Sequence, residues 1–433
     1  MYTYKLSNLE KNLFDAMSKW EIIDCHEHLP SEKDRLNKKV DVFTLFSHYT
    51  YRDLIMAGMT EEQYLSLFNQ DISLDIRWKM FAPYWKKIRW TSYSKAVLIS
   101  TEKFYGFSDV NESTYKPISE AIKKANKPGI YEKVLRKACN IKTCLNQGIY
   151  WDDKRNNIEK IDPASTDLLT TVLRMPLRNR IEIDILRPSF DPDLVINSVD
   201  CYLDACRKYI LKKKSEGAVG LKMMSHPYEI PNRQEAISIF KKIKAGSMNK
   251  IPPQPPHFIG TNSLRDYIID ELIRFAGEQN LVIAVHTGYW EDFRQLDPLL
   301  MIPILQRHPK VRFDIYHLGY PWVRETLMLG KGFPNVWLNF CWTHIISQKF
   351  AMSGLDEAID LIPTNKILAF GGDYSMPVEK VYGHLVMARE DIARVLANRI
   401  KDGQFTETQA LDMAKKWFWD NPIELYNLNI KTK

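Results

Sequence analysis

No stretch of this 433-residue chain approaches the about 18 consecutive apolar residues that a membrane-spanning helix requires, so membrane insertion is not expected. The cysteines at 25, 139, 144, 201, 206 and 341 form no C-x-x-C pair, which removes zinc-finger and dithiol readings and leaves reduced, mostly buried thiols. Met1 to Trp20 reads as a polar amphipathic helix, without the apolar core and small-residue cleavage site of a secretory signal. A cytoplasmic protein is the expectation. Neither internal repeats nor low-complexity segments occur. The formal charge of +7 comes from dispersed lysines such as Lys123-Lys124, Lys212-Lys213-Lys214 and Lys241-Lys242, each within helical apolar spacing. Nucleic-acid binding would want a concentrated basic stripe interleaved with stacking aromatics, and none is present. These lysines read as solvated helix faces that exert a mild pull on anionic substrates.

What remains is an ordinary globular balance, 45% hydrophobic and 26% charged, with material for a large core. Short apolar runs alternate with helical stretches, the pattern of strand and helix units winding a parallel sheet. Eight runs are read as strands: Glu21 to Cys25, Ile141 to Leu145, Ile181 to Leu186, Ala218 to Met223, Leu281 to Val285, Val311 to Tyr316, Val336 to Phe340 and Ile367 to Phe370. Eight parallel strands is the number at which such a sheet closes, so the fold class expected is an α/β (β/α)8 TIM barrel over 1–433 as one domain. Residues 30–130 are too long for a strand-to-helix connection and rich in aromatics, including Tyr49, Tyr51, Trp78, Phe81, Tyr84, Trp85, Trp90 and Tyr105. They are expected to form a mostly helical insertion capping the active site. Ile251 to Gly260, with four prolines, reads as a stiff loop, and Val378 to Ile400 and Thr406 to Tyr426 as closing helices.

Several runs end in residues that bind metal. The first leads into Asp24-Cys25-His26-Glu27-His28, the fifth ends at His286, the sixth at His317, and the eighth in Gly371-Gly372-Asp373. A barrel gathers its strand ends on one rim, so residues far apart in the chain can meet there. Side chains alternate along a strand, so His26 and His28 point the same way and Glu27 points away. With His286 and Asp373 they make a set of three imidazoles and a carboxylate, which suits zinc first, with manganese or iron as alternatives. A histidine at a strand end is more often a hydrogen-bonded polar group than a ligand. His48, His226, His257, His308, His344 and His384 are read in that way.

The pieces Asp24-Cys25-His26-Glu27-His28-Leu29, Gly220-Leu221-Lys222, Val285-His286-Thr287-Gly288, His317-Leu318-Gly319-Tyr320-Pro321, Phe370-Gly371-Gly372-Asp373 and Asp420 to Tyr426 resemble the amidohydrolase superfamily, in its amidohydrolase-2 and uronate-isomerase-like branches. The resemblance runs from about residue 21 to 426 and leaves 30–130 unexplained. It implies that His26, His28, His286 and Asp373 are metal ligands, and that His317 is a second-metal ligand or an acid/base. Lys222 ends the fourth run, where some members carry a carboxylated lysine; a free ammonium gripping an anionic substrate is the alternative.

The function expected is hydrolysis of an amide, ester or lactone by a metal-activated water, with Asp373 taking its proton and His317 steadying the oxyanion or assisting the leaving group. Lys222, Arg187, Tyr289 and Trp290 are placed on the pocket wall by their strand-end positions. A non-hydrolytic metalloenzyme, decarboxylase or uronate isomerase, is the first alternative, and a non-catalytic binding barrel the second. The partner expected is a small molecule, anionic, aromatic or sugar-like; nucleic acid and membrane are not expected, and homo-oligomerisation is left open.

Overall fold

Every residue of Ile22–Glu27 is buried, the state of a strand covered on both faces. In the computed structural model it opens an eight-stranded sheet whose spatial order follows the chain: β1 Ile22–Glu27, β2 Ile141–Asn146, β3 Leu169–Arg174, β4 Gly220–Met224, β5 Val282–His286, β6 Phe313–Ile315, β7 Val336–Asn339 and β8 Ile367–Leu368. The pairs β1 with β2 and β3 through β8 are parallel. With helices between the strands this is a (β/α)8 barrel. The structure describes residues 3–148, 150–152, 157–159, 163–177, 181–191, 193–246, 262–290 and 292–430. The proline-rich stretch Ile251 to Gly260, with His257, lies outside them.

One strand assignment is corrected. Ile181–Leu186 is a helix, and the third strand is Leu169–Arg174, which pairs with β4 through Val172 opposite Gly220 and Arg174 opposite Lys222. Ile-Glu-Ile-Asp-Ile-Leu alternates like a strand, yet among the described side chains Ile181, Asp184 and Ile185 are buried, a spacing that a helical face accommodates, and Leu186 is exposed. Six residues are too few for periodicity to decide. Arg187 consequently follows a helix and is exposed, so its place at a strand end is lost.

The chain divides into two compact units. The first comprises Met1–Ile161, Cys341–Asp356 and Ala369–Trp419. Within it, residues 30–130 are helical as expected, with helices Leu74–Ile88, Ser92–Tyr105 and Tyr115–Ala125 around a core that includes Phe43, Phe46, Trp78, Phe81 and Trp85. The Arg35 guanidinium meets the Glu379 carboxylate at 3.1 Å, both buried, tying this helical layer to the long helix Glu379–Lys401. The second unit comprises Asp162–Phe340, Glu357–Leu368 and Asp420–Lys433. Its helices Val199–Ser215, Arg233–Lys244 and Ser263–Glu278 begin at Ser198, Asn232 and Asn262, whose side chains accept hydrogen bonds from first-turn amides. Among the described residues no helix is long and apolar enough to cross a membrane.

Candidate metal centre and strand-end histidines

The alternation of β1 puts two imidazoles on one carboxylate. Asp373 Oδ1 lies 3.2 Å from His26 Nε2 and 3.4 Å from His28 Nε2, and the two rings meet edge to face at 4.7 Å. Among the described residues, His26, His28 and Asp373 are the group whose ligand atoms all lie within 4.8 Å of one another. A divalent ion with bonds of about 2.0–2.2 Å holds adjacent donors about 3.0–3.4 Å apart, so these spacings fit one. The donor chemistry fits as well. His28 Nδ1 stands 3.0 Å from the Gln147 carbonyl oxygen, which can only accept; Nδ1 therefore carries the ring proton and Nε2 keeps its lone pair.

Backbone pairing brings Asp373, nearly 350 residues downstream, to this place. The amide of Cys25 donates to Phe370 O, that of Asp373 to His26 O, and that of His28 to Tyr374 O, so the segment after β8 runs as a ladder against β1. The approach is close enough to demand glycine. A Cβ on Gly372 would fall 1.9 Å from Glu27 Oε1, and one on Gly371 only 2.5 Å from Cys341 Cβ. Beneath the imidazoles, Asp24 accepts from the amides of His26 and Gly372, and Glu27 accepts from that of Tyr374. Burial pushes Asp24 up to about 7 and Glu27 well above the usual carboxylate range, and the charge of Asp24 adds to the rise of Glu27.

A residue not singled out from sequence completes the arrangement. The Tyr49 hydroxyl, from the helical insertion, interacts with Asp373, and burial with that negative neighbour holds it far above the ordinary phenol range. Its ring stacks on Trp342 at 4.8 Å and on Tyr93 at 5.4 Å. Aromatic density in 30–130 was the visible signal; which aromatic reaches the carboxylate was not.

The group of three does not include His286. That residue ends β5, where its Nδ1 lies 2.9 Å from His317 Nε2. The pair is fixed by its flanks: Thr287 donates to Tyr316 O, and His317 and Leu318 adopt left-handed backbone at φ 66° and 48°. Gly288, at φ 85°, passes so near Tyr320 that a Cβ would sit 2.3 Å from its carbonyl oxygen. The Trp290 ring stands edge-on to His286 at 6.4 Å, and Tyr289 packs toward Phe293. Lys222, on β4, places its ammonium 3.6 Å from the centre of the Tyr316 ring. Three of the other histidines are hydrogen-bonded polar groups: His308 bonds Asp270, His344 bonds Asp391 and the carbonyl of Ala369, and His226 bonds the Met224 carbonyl.

A family model described as Amidohydrolase matches residues 204–428, more than half of the chain. The chain belongs to this amidohydrolase family. It is thus an enzyme of the metal-dependent amidohydrolase superfamily. Glucuronate isomerase from Caulobacter crescentus superimposes on the amidohydrolase chain with a TM-score of 0.76 at 16% identity, over 100% of this chain and 98% of that one. Uronate isomerase from Thermotoga maritima gives 0.74 at 17% identity over 97% and 98%. A Lactobacillus casei protein provisionally described as a metal-dependent hydrolase gives 0.65 at 18% identity over 96% and 97%. At these identities the likeness is one of fold. In sequence, the protein fluG of Emericella nidulans is 25% identical over 156 residues, 35% of this chain and 18% of that protein's length.

Proposed function

We propose that this amidohydrolase is a metal-dependent isomerase of uronic acids, interconverting an aldehyde-ended sugar acid and its 2-keto form. The observation that carries the reading is the two-histidine, one-carboxylate group at the end of the first strand and in the segment after the last, in a chain that shares its fold over nearly its whole length with uronate isomerases. His26, His28 and Asp373 would hold the divalent ion, zinc, manganese or iron, with His286 at the end of β5 as the fourth ligand. When bound, the ion supplies Lewis acidity that polarises the substrate carbonyl. In the isomerisation one proton leaves C2 and one arrives at C1, while the O2 proton passes to O1, so protein groups must accept and return protons without net change. Asp373 and His317 are assigned to that work. Asp373 Oδ1 lies beside two imidazoles, and His317 Nε2 shares a hydrogen bond with His286 Nδ1; with His286 Nε2 on the ion, His286 would donate and His317 Nε2 would be the nitrogen that accepts. Trp290 and Tyr289 offer aromatic faces for a sugar ring, and the insertion at 30–130 caps the site through Tyr49. Arg187 is not carried into this reading, because it follows a helix. The test is proton NMR of glucuronate and galacturonate with metal-loaded protein in heavy water. A ketose product with solvent deuterium at the exchanged carbon is expected, and no turnover of either uronate by protein with full metal content would sink the reading.

Hydrolysis of an amide, ester or lactone is the second reading, favoured by the family match and by a carboxylate beside two imidazoles that would take a proton from water. Label from oxygen-18 water in the product distinguishes it, since aldose–ketose interconversion forms no bond to solvent oxygen.

A further inference from the structure

Lys222 and Asp314 project from β4 and β6, and Tyr316 follows Asp314 by two residues. Asp314 is completely buried and accepts hydrogen bonds at Oδ2 from the Tyr426 hydroxyl at 2.7 Å and the Asn339 amide at 3.0 Å. Its Oδ1, equally buried, has no hydrogen-bond partner among the described residues. The Lys222 ammonium, only 8% exposed, lies over the Tyr316 ring at 3.6 Å, and its charge acts on Asp314. A cation is attracted to the negative face of a phenol ring. A carboxylated lysine in its place would set an anion against that face, and the contact would be repulsive. The surroundings are therefore built for the ammonium.

The ammonium also stands close to the proposed chemistry. Lys222 pairs with Ala284 on β5 and Met224 with His286, so Lys222 is one pleat below the level of His286. The Tyr316 ring over which it lies is 5.6 Å from that of His317. We propose that Lys222 serves as an uncarboxylated ammonium, held over the Tyr316 ring, that receives the carboxylate of the substrate. The subsite rests on the uronate reading above for its physiological ligand, and the chemical class it takes is a small carboxylate.

Two measurements on the zinc-loaded full chain test this. In carbon-13 NMR with labelled bicarbonate, no carbamate resonance belonging to Lys222 is expected; one present in the wild type and missing from Lys222→Met overturns the proposal. Calorimetric titration of glucuronate should show affinity reduced at least tenfold in Lys222→Met and within about threefold of wild type in Lys222→Arg. The neutral methyl ester of glucuronate should bind all three alike. Failure of the wild type to bind glucuronate at full metal content counts against the uronate reading alone, and malonate then replaces it as the probe. Equal affinity of wild type and Lys222→Met for both glucuronate and malonate, including no binding of either, overturns the subsite.

Discussion

The Nδ1 nitrogen of His28 faces the backbone carbonyl oxygen of Gln147 at 3.0 Å, and this contact turns the opposite ring nitrogen toward Asp373. A carbonyl oxygen has no proton to give, so the ring tautomer is set by β2 and its extension, not by the metal. Replacing His28 with Ala should lower bound zinc at least tenfold by elemental analysis, with the circular dichroism spectrum retained. His308→Ala, which removes only a partner of Asp270, should leave zinc content unchanged.

The buried Tyr49 hydroxyl, a potential donor, interacts with Asp373. Tyr49→Phe removes that donor and keeps the ring stacked on Trp342. Loss of a hydrogen bond to a buried carboxylate costs about 1–3 kcal/mol, and loss of a group that orients a ligand weakens metal binding by about 10- to 100-fold. Chelator competition measures the second effect. Zinc affinity equal to wild type would show that Asp373 is oriented without the insertion.

Gly372 leaves Glu27 no room for a methyl group above it. Gly372→Ala should destabilise the protein by about 1–3 kcal/mol, through displacement of Glu27 or of the ladder between β1 and residues 370–374. Urea unfolding reads this directly, and zinc content should fall with it because Asp373 is the next residue.

Burial pushes Asp314 up to about 7, while the Tyr426 hydroxyl, the Asn339 amide and the Lys222 charge pull the other way. A carboxyl raised by folding binds its proton more tightly in the native state. The stability it contributes is complete below about pH 4 and is lost as pH rises toward about 7. Asp314→Asn cannot ionise, so its unfolding free energy should fall less than that of wild type between those limits. The difference should be a few kcal/mol, at about 1.4 kcal/mol for each tenfold change in proton affinity. Urea titrations at pH 5 and pH 7 give the comparison, and parallel losses in the two proteins would place the raised carboxyl elsewhere.

The sequence by itself determined seven of the eight strand positions, the helical character of 30–130 and the pairing of His26 with His28, because each depends on local periodicity: two residues for a strand face, about 3.6 for a helix. Local pattern failed at Ile181–Leu186, where six alternating residues satisfied both periods. Only the tertiary structure decided that Leu169–Arg174 takes the third place, that Tyr49 among many insertion aromatics meets Asp373, that the Gln147 carbonyl fixes His28, and that Asp314 lies buried near Lys222 and Tyr316. These are contacts between residues distant in the chain, set by backbone register and close packing. No short-range pattern encodes them, since a tyrosine or an aspartate looks the same in sequence whether its oxygen meets solvent or a buried carboxylate.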